Sequence, residues 1–187
     1  MQITLLRHGK PDISQDQLIQ PKKFGKWLDA YNDASLCLKN VPDSDILALA
    51  KKSKTVVCSD LPRSINSALR LGVKPICTEP LFREMELPYW SFPAPALPAN
   101  LWTFLFRLCW FSGLTSKAES FKDAKIRAVR ATDQLVKLVQ EHHQIIFVGH
   151  GLLNWFIAKT LLENGWSGPK NPGKKYWQYG VYIYATT

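Results

Sequence analysis

Four short clusters in this 187-residue chain carry the side chains that do chemistry, and each follows an apolar run. Arg7-His8-Gly9 follows QITLL, and Ser59-Asp60-Leu61-Pro62-Arg63 follows TVVC. Gly149-His150-Gly151 follows QIIFV, and Arg83-Glu84-Met85-Glu86 comes a few residues after KPICT. In open α/β sheets ligands bind beyond the carboxyl ends of the strands. If the four runs are parallel strands, two imidazoles, at least two guanidiniums and a carboxylate meet at one edge. Guanidinium forks match phosphate oxygens, helix N-termini favour anions, and glycines admit close backbone approach. The combination describes a phosphate pocket equipped with a nucleophile and an acid.

The elements needed to position these groups are legible. Gln2–Leu6, Lys54–Cys58, Lys74–Thr78, Gln144–Val148 and Gly180–Ala185 read as strands, rich in β-branched and apolar residues. Residues 22–35 place Phe24, Trp27, Leu28 and Tyr31 at i, i+3, i+4 and i+7, an amphipathic helix. Pro42-Asp43-Ser44 precedes a second helix. Ser59 and Asp60 are expected to cap a third, LPRSINSALRL, which Gly72 ends. Ser120–His143 and Leu152–Asn164 read as two more, with His142 and His143 complementing a helix dipole. Strands alternating with helices give a three-layer α/β/α sandwich with a mostly parallel central sheet, read as one domain over 1–187.

Residues 87–100 hold four prolines and read as stiff, extended and unpaired. The segment 101–114 is apolar on nearly every side, relieved by Thr103 and Arg107. Residues 87–118 are therefore expected to form an inserted cap over the pocket that shapes specificity.

These motifs resemble the histidine phosphatase superfamily, the phosphoglycerate mutase-like family. Arg7-His8-Gly9 corresponds to its R-H-G. Ser59, Leu61, Arg63, Ser64, Ser67 and Ala68 meet S-x-L-x-R-[AS]-x-x-[TS]-A, and Gly149-His150-Gly151 meets the final G-H-G. The resemblance implies a phosphoglycerate mutase-like fold and a phosphohistidine formed on His8. It implies that Arg7, Arg63, a protonated His150 and the Gly151 backbone bind the phosphoryl group, with Glu84 as acid and then base. Glu86 is the rival acid. Ser14 stands where the family has an asparagine and is expected to contact phosphate, while Lys10 replaces an acid. No metal or other cofactor is implied.

The resemblance implies a phosphomonoester hydrolase acting on a small phosphorylated metabolite. A mutase, a phosphohistidine-protein phosphatase and a non-catalytic anion-binding protein of the same fold are the alternatives. Cysteine-based phosphatase chemistry is rejected: C-x5-R needs five intervening residues, and Cys58 and Arg63 have four between them. Cys37, Cys58, Cys77 and Cys109 are scattered, which argues for reduced thiols rather than a zinc site or disulfide framework. The net charge of +9 favours anionic partners. The lysines form no nucleic-acid module, and Lys170, Lys174 and Lys175 could steer anions only if their loop returns to the site. No apolar stretch spans a bilayer and no secretory signal pattern is present, so the expected location is cytoplasmic.

Overall fold

The computed structural model describes residues 1–185. Its main sheet has five strands: β1 (Gln2–Arg7), β3 (Val56–Ser59), β4 (Cys77–Glu79), β6 (Gln144–Gly149) and β7 (Tyr179–Ile183). Their order is β4-β3-β6-β1-β7; all are parallel except β7, which closes the edge antiparallel to β1. A separate two-residue pair joins β2 (Leu18–Ile19) to β5 (Leu97–Pro98). Six helices complete the fold: α1 (Pro21–Asp33), α2 (Ser44–Ser53), α3 (Pro62–Arg70), α4 (Ala99–Phe111), α5 (Phe121–His142) and α6 (Gly151–Glu163).

The period-2 alternation of the strands sorts the core into two faces. Ile3, Leu5, Val57, Ile145 and Phe147 pack under α5 and α6. Leu6, Val56, Cys58, Ile146 and Val148 pack on the opposite face with Ile46 and Ala50 of α2 and Ala68 of α3. The result is the expected three-layer sandwich. A third cluster stands apart from both faces: Phe24 and Trp27 of α1 meet Trp102 and Phe106 of α4, with Ile19 and Ala99 beside them.

Three expectations are corrected. Ser59 and Asp60 do not cap α3; Leu61 is its N-cap and makes no side-chain cap bond. Both polar side chains are engaged elsewhere, Ser59 with His150 and Asp60 with Arg83. The segment 87–100 is not wholly unpaired, because Leu97 and Pro98 form β5 against β2. Proline is tolerated in so short an edge pair because no ladder has to continue past it. The strand expected at 74–78 is displaced to Cys77–Glu79, since Pro75 has no amide hydrogen to donate.

Gly149 shows how tightly the end of β6 is packed. A Cβ there would strike the Asn154 side-chain oxygen and the Phe147 ring, both buried. Gly149→Ala is expected to lower unfolding free energy by about 1–3 kcal/mol through overpacking, read as a lower urea midpoint with unchanged slope.

Candidate active site

Sheet register brings the two histidines together. β1 and β6 are adjacent parallel strands with Arg7 opposite Gly149, so the chain leaves both at one level into His8 and His150. Their ring centroids lie 5.0 Å apart in an edge-on arrangement. β3 lies on the other side of β6 and delivers Ser59 and then Arg63, the second residue of α3. The Ser67 hydroxyl, one turn further along α3, accepts the Gly9 amide at 2.9 Å and donates to the Arg63 carbonyl at 2.6 Å. That bond ties the loop after β1 to the helix carrying Arg63.

His8 is 2% exposed, and its Nδ1 lies 2.7 Å from the Gly9 carbonyl. A carbonyl only accepts, so Nδ1 carries the hydrogen and Nε2 keeps its lone pair. Burial first, then the Arg63 charge, push the His8 pKa well below 6.5 against an opposing effect of the Gly9 carbonyl, with the Arg7 charge lowering it least. A neutral ring with a free, unprotonated Nε2 is the nucleophilic form.

His150 is fully buried, with Nε2 at 2.8 Å from the Ser59 hydroxyl and 3.3 Å from that of Ser64. Burial, followed by Arg63, His8, Arg7 and Arg127, drives its pKa well below 6.5. In the protein alone the His150 ring is thus held neutral, where the resemblance implies an imidazolium in contact with phosphate. If a serine hydroxyl donates to Nε2, the hydrogen sits on Nδ1, which has no partner in the protein.

Both histidines bear on stability. The unfolded chain protonates them near pH 6.5 while the folded chain resists, so it binds fewer protons below that pH. Stability must then fall as pH drops through 6.5, by up to about 1.4 kcal/mol per pH unit for each ring. Unfolding free energy from urea titration is expected to be about 1–3 kcal/mol lower at pH 5.5 than at 7.5. A flat profile would show that the rings are not held neutral.

The two arginines are fixed by stacking and by bonds at one end. The Arg63 guanidinium lies 4.9 Å from the Tyr31 ring centroid, and its Nη1 donates to Asn32 Oδ1 at 3.1 Å. The Arg7 guanidinium lies 4.5 Å from the Tyr176 ring, and its Nη1 donates to the Lys174 carbonyl. The Gly/Pro/Lys loop thus does return to the carboxyl edge of the sheet. In both arginines Nε is buried and unpartnered.

Glu84 directs its carboxylate at the first turn of α6. Its Oε2 accepts the Leu152 amide at 3.0 Å, and its Oε1 accepts Leu153 at 2.9 Å and Met85 at 3.0 Å. Glu86 is exposed, its Oε2 accepting the Glu119 amide at 2.6 Å. Glu84, Glu86, Arg7, Arg63 and Gly151 line one continuous cleft of about 1500 Å³. Ser14 does not reach it: the residue is exposed and offers its carbonyl to the Trp27 indole at 3.3 Å. Its neighbour Gln15 lines the cleft instead and donates to the Tyr176 hydroxyl at 2.7 Å.

The sequence reading missed Arg127 on α5. It donates to the carbonyls of Leu81, Arg83 and Glu84 and grips both oxygens of Glu119 at 2.9 and 2.5 Å. It thereby holds the backbone that carries Glu84. Tyr31 and Tyr176, stacked on the arginines, were also missed as site residues. Nothing local in the sequence distinguishes them from ordinary amphipathic-helix and loop residues.

Cys58 is buried within β3, and burial chiefly pushes its thiol up to about 12, consistent with an inert core residue. Among the described residues, no cluster of three or more His, Cys, Asp or Glu side chains could hold a metal ion. Nor is any described helix long and apolar enough to cross a membrane.

A family model, "Histidine phosphatase superfamily (branch 1)", matches residues 45–177. No curated protein matches the sequence. Among solved structures, the product of open reading frame Rv3214 from Mycobacterium tuberculosis is 14% identical, with a TM-score of 0.58 over 96% of this chain and 89% of that one. A mycobacterial glucosyl-3-phosphoglycerate phosphatase in complex with VO3 is 20% identical, with a TM-score of 0.58 over 96% of this chain and 91% of its own. YhfR of Bacillus stearothermophilus is 18% identical, with a TM-score of 0.56 over 87% and 80%. At these identities the likeness is one of fold.

Proposed function

Since the chain belongs to the histidine phosphatase superfamily, branch 1, we propose that it hydrolyses phosphomonoesters through a phosphohistidine on Nε2 of His8. The family match begins at residue 45, so the roles of Arg7 and His8 rest on geometry. The observation that carries the reading is a set of three buried, unpartnered nitrogens beside a neutral imidazole. These are Nε of Arg7, Nε of Arg63 and Nδ1 of His150. Buried N–H groups without acceptors are costly, and a phosphoryl group supplies the oxygens they lack.

In the first step the His8 Nε2 lone pair attacks phosphorus while the ester P–O bond breaks. Glu84 gives its proton to the departing alkoxide, so the alcohol leaves neutral. The two guanidiniums and His150 hold the equatorial oxygens, where charge is concentrated in the transition state. One such preorganised donor is worth about 3 kcal/mol of barrier. The dianion also makes it easier for His150 to accept a second proton. In the second step Glu84 takes a proton from water, the hydroxide oxygen bonds to phosphorus, and the P–N bond breaks to release phosphate and restore His8.

Hydrolysis is favoured over a mutase reaction by the cleft. A mutase must retain its dephosphorylated intermediate and exclude water, and the cleft around Glu84, at about 1500 Å³, is too wide to enclose a small phosphorylated intermediate. The test is to incubate the protein with a radiolabelled phosphomonoester, quench in alkali and measure both released phosphate and protein-bound label. Label that is stable in base, lost in acid and located on His8, together with net phosphate release, supports the reading. Tight phosphate binding with no release and no label would leave an anion-binding protein instead.

A further inference from the structure

The cleft beyond the phosphoryl pocket is larger and more apolar than a phosphate or a small metabolite requires. Its volume of about 1500 Å³ exceeds the roughly 300–1,000 Å³ of common small-molecule sites. Trp27 and Leu28 of α1, Leu87 and Trp90 of the proline-rich segment, and Phe104 and Phe111 of α4 form its walls. Along α4 the lining positions run from Asn100 to Phe111, about 16 Å of helix, with Phe104 and Phe111 as the apolar ones beside Asn100, Thr103 and Arg107. Phe104 and Phe111 are still 57% and 49% exposed, so two aromatic faces border the cleft with much of their surface wet. Apolar surface gathered along one groove marks a binding site more often than chance exposure does.

Most charged groups in the walls point the same way, because, Lys117 and Lys174 aside, they are already committed to protein partners. Arg107 donates to the carbonyls of Glu86 and Met85 at 3.0 and 2.9 Å. Arg83 is clasped by both oxygens of Asp60 at 2.7 and 2.6 Å. Glu119 is taken by Arg127, and Glu86 by the Glu119 amide. A sugar or other polyol entering this cleft would surrender its hydration to walls with few free partners, which is unfavourable. A hydrocarbon would lose nothing by the same transfer and would dry the two phenyl rings.

Resting on the phosphatase reading above, we infer that the substrate is the phosphomonoester of a long-chain lipophilic alcohol. Its phosphate lies between Arg7 and Arg63 and its hydrocarbon lies along α4. The required chain is extended rather than compact, because the apolar side chains bordering the cleft are strung out from Trp27 and Leu28 of α1 past Leu87 and Trp90 to Phe104 and Phe111 of α4.

The experiment measures kcat/KM for n-alkyl phosphates from butyl to dodecyl, each below its micelle concentration, beside ribose 5-phosphate and 3-phosphoglycerate. Burial of one methylene corresponds to at most about a fourfold gain. The expected rise is about two- to fourfold per methylene over the first several carbons, and at least about 100-fold from butyl to dodecyl. The double variant Phe104→Gln, Phe111→Gln changes two half-exposed side chains and is expected to keep the fold while halving the logarithmic slope or more. If all these esters are hydrolysed through labelled His8 with no chain-length dependence, or with sugar phosphates preferred, this inference fails and the phosphatase reading stands. If chain length matters but the double variant leaves the slope intact, the hydrocarbon lies elsewhere and the inference is overturned. Absence of both hydrolysis and label overturns the parent reading, and this one with it.

Discussion

His8→Ala is expected to reduce phosphate release by at least about 10⁴-fold and to abolish the phosphoenzyme, as loss of a covalent nucleophile does in other hydrolases. The magnitude follows from the site. Arg7, Arg63 and His150 remain to bind phosphate, and such electrostatic machinery alone retains some rate over water, but the other imidazole, His150, has its Nε2 engaged by Ser59 and Ser64. Cys58 cannot substitute, being buried in β3 with its thiol pushed up to about 12. The His8 ring makes one side-chain hydrogen bond, to the carbonyl of its own neighbour, so its removal leaves the networks of Ser59, Ser64 and Ser67 intact. A thermal melt close to wild type should accompany the lost activity. Measurable turnover at even a tenth of the wild-type rate would show that the bond to phosphorus forms elsewhere.

Glu84→Gln is the second large effect, and its signature is dependence on the leaving group. An alkyl alkoxide cannot depart without a proton, so alkyl phosphates should lose about 10²- to 10⁴-fold, the usual weight of general acid catalysis. The para-nitrophenolate anion leaves unassisted, so para-nitrophenyl phosphate should lose less than about tenfold. The variant also turns a side-chain NH₂ toward one of the amides of Leu152 and Leu153, which then lacks an acceptor. A stability loss of about 1–3 kcal/mol is expected, so rates belong well below the melting transition. Glu86→Gln should alter both substrates by the same factor, because that carboxylate is engaged by the Glu119 amide and not by α6. If the dependence on leaving group appears in Glu86→Gln instead, the two acids exchange roles.

The groups at the strand ends were readable because sheet topology makes their meeting almost obligatory. Residues after parallel neighbours emerge on one edge, and His8 and His150 follow β1 and β6 in matched register. The second motif was readable for a similar reason, since Ser59, Arg63, Ser64 and Ser67 all act within one strand–helix turn. What the sequence concealed depends on contacts between distant segments. Arg127 reaches across more than 40 positions to the carbonyls of Leu81, Arg83 and Glu84, and a polar residue on an amphipathic helix gives no hint of that. Tyr176 reaches Arg7 only because its loop folds back beside β1. The cap expected from Ser59 and Asp60 failed because local propensity was outweighed: one hydroxyl binds an imidazole and one carboxylate binds Arg83. Ser14 failed as an alignment inference, its place at the cleft being taken by Gln15.

The aromatic cluster that joins α1 to α4 shares no side chain with the clusters on either face of the sheet. Packing defects are felt mainly by immediate neighbours, so substitutions that reshape this cluster reach the reacting groups through Tyr31, which packs against it and stacks on Arg63. On the phosphatase reading, selection that leaves Tyr31 in place can retune which alcohol is accepted while the bond-breaking apparatus is inherited unaltered, and a lineage could drift from one ester to another without passing through an inactive ancestor.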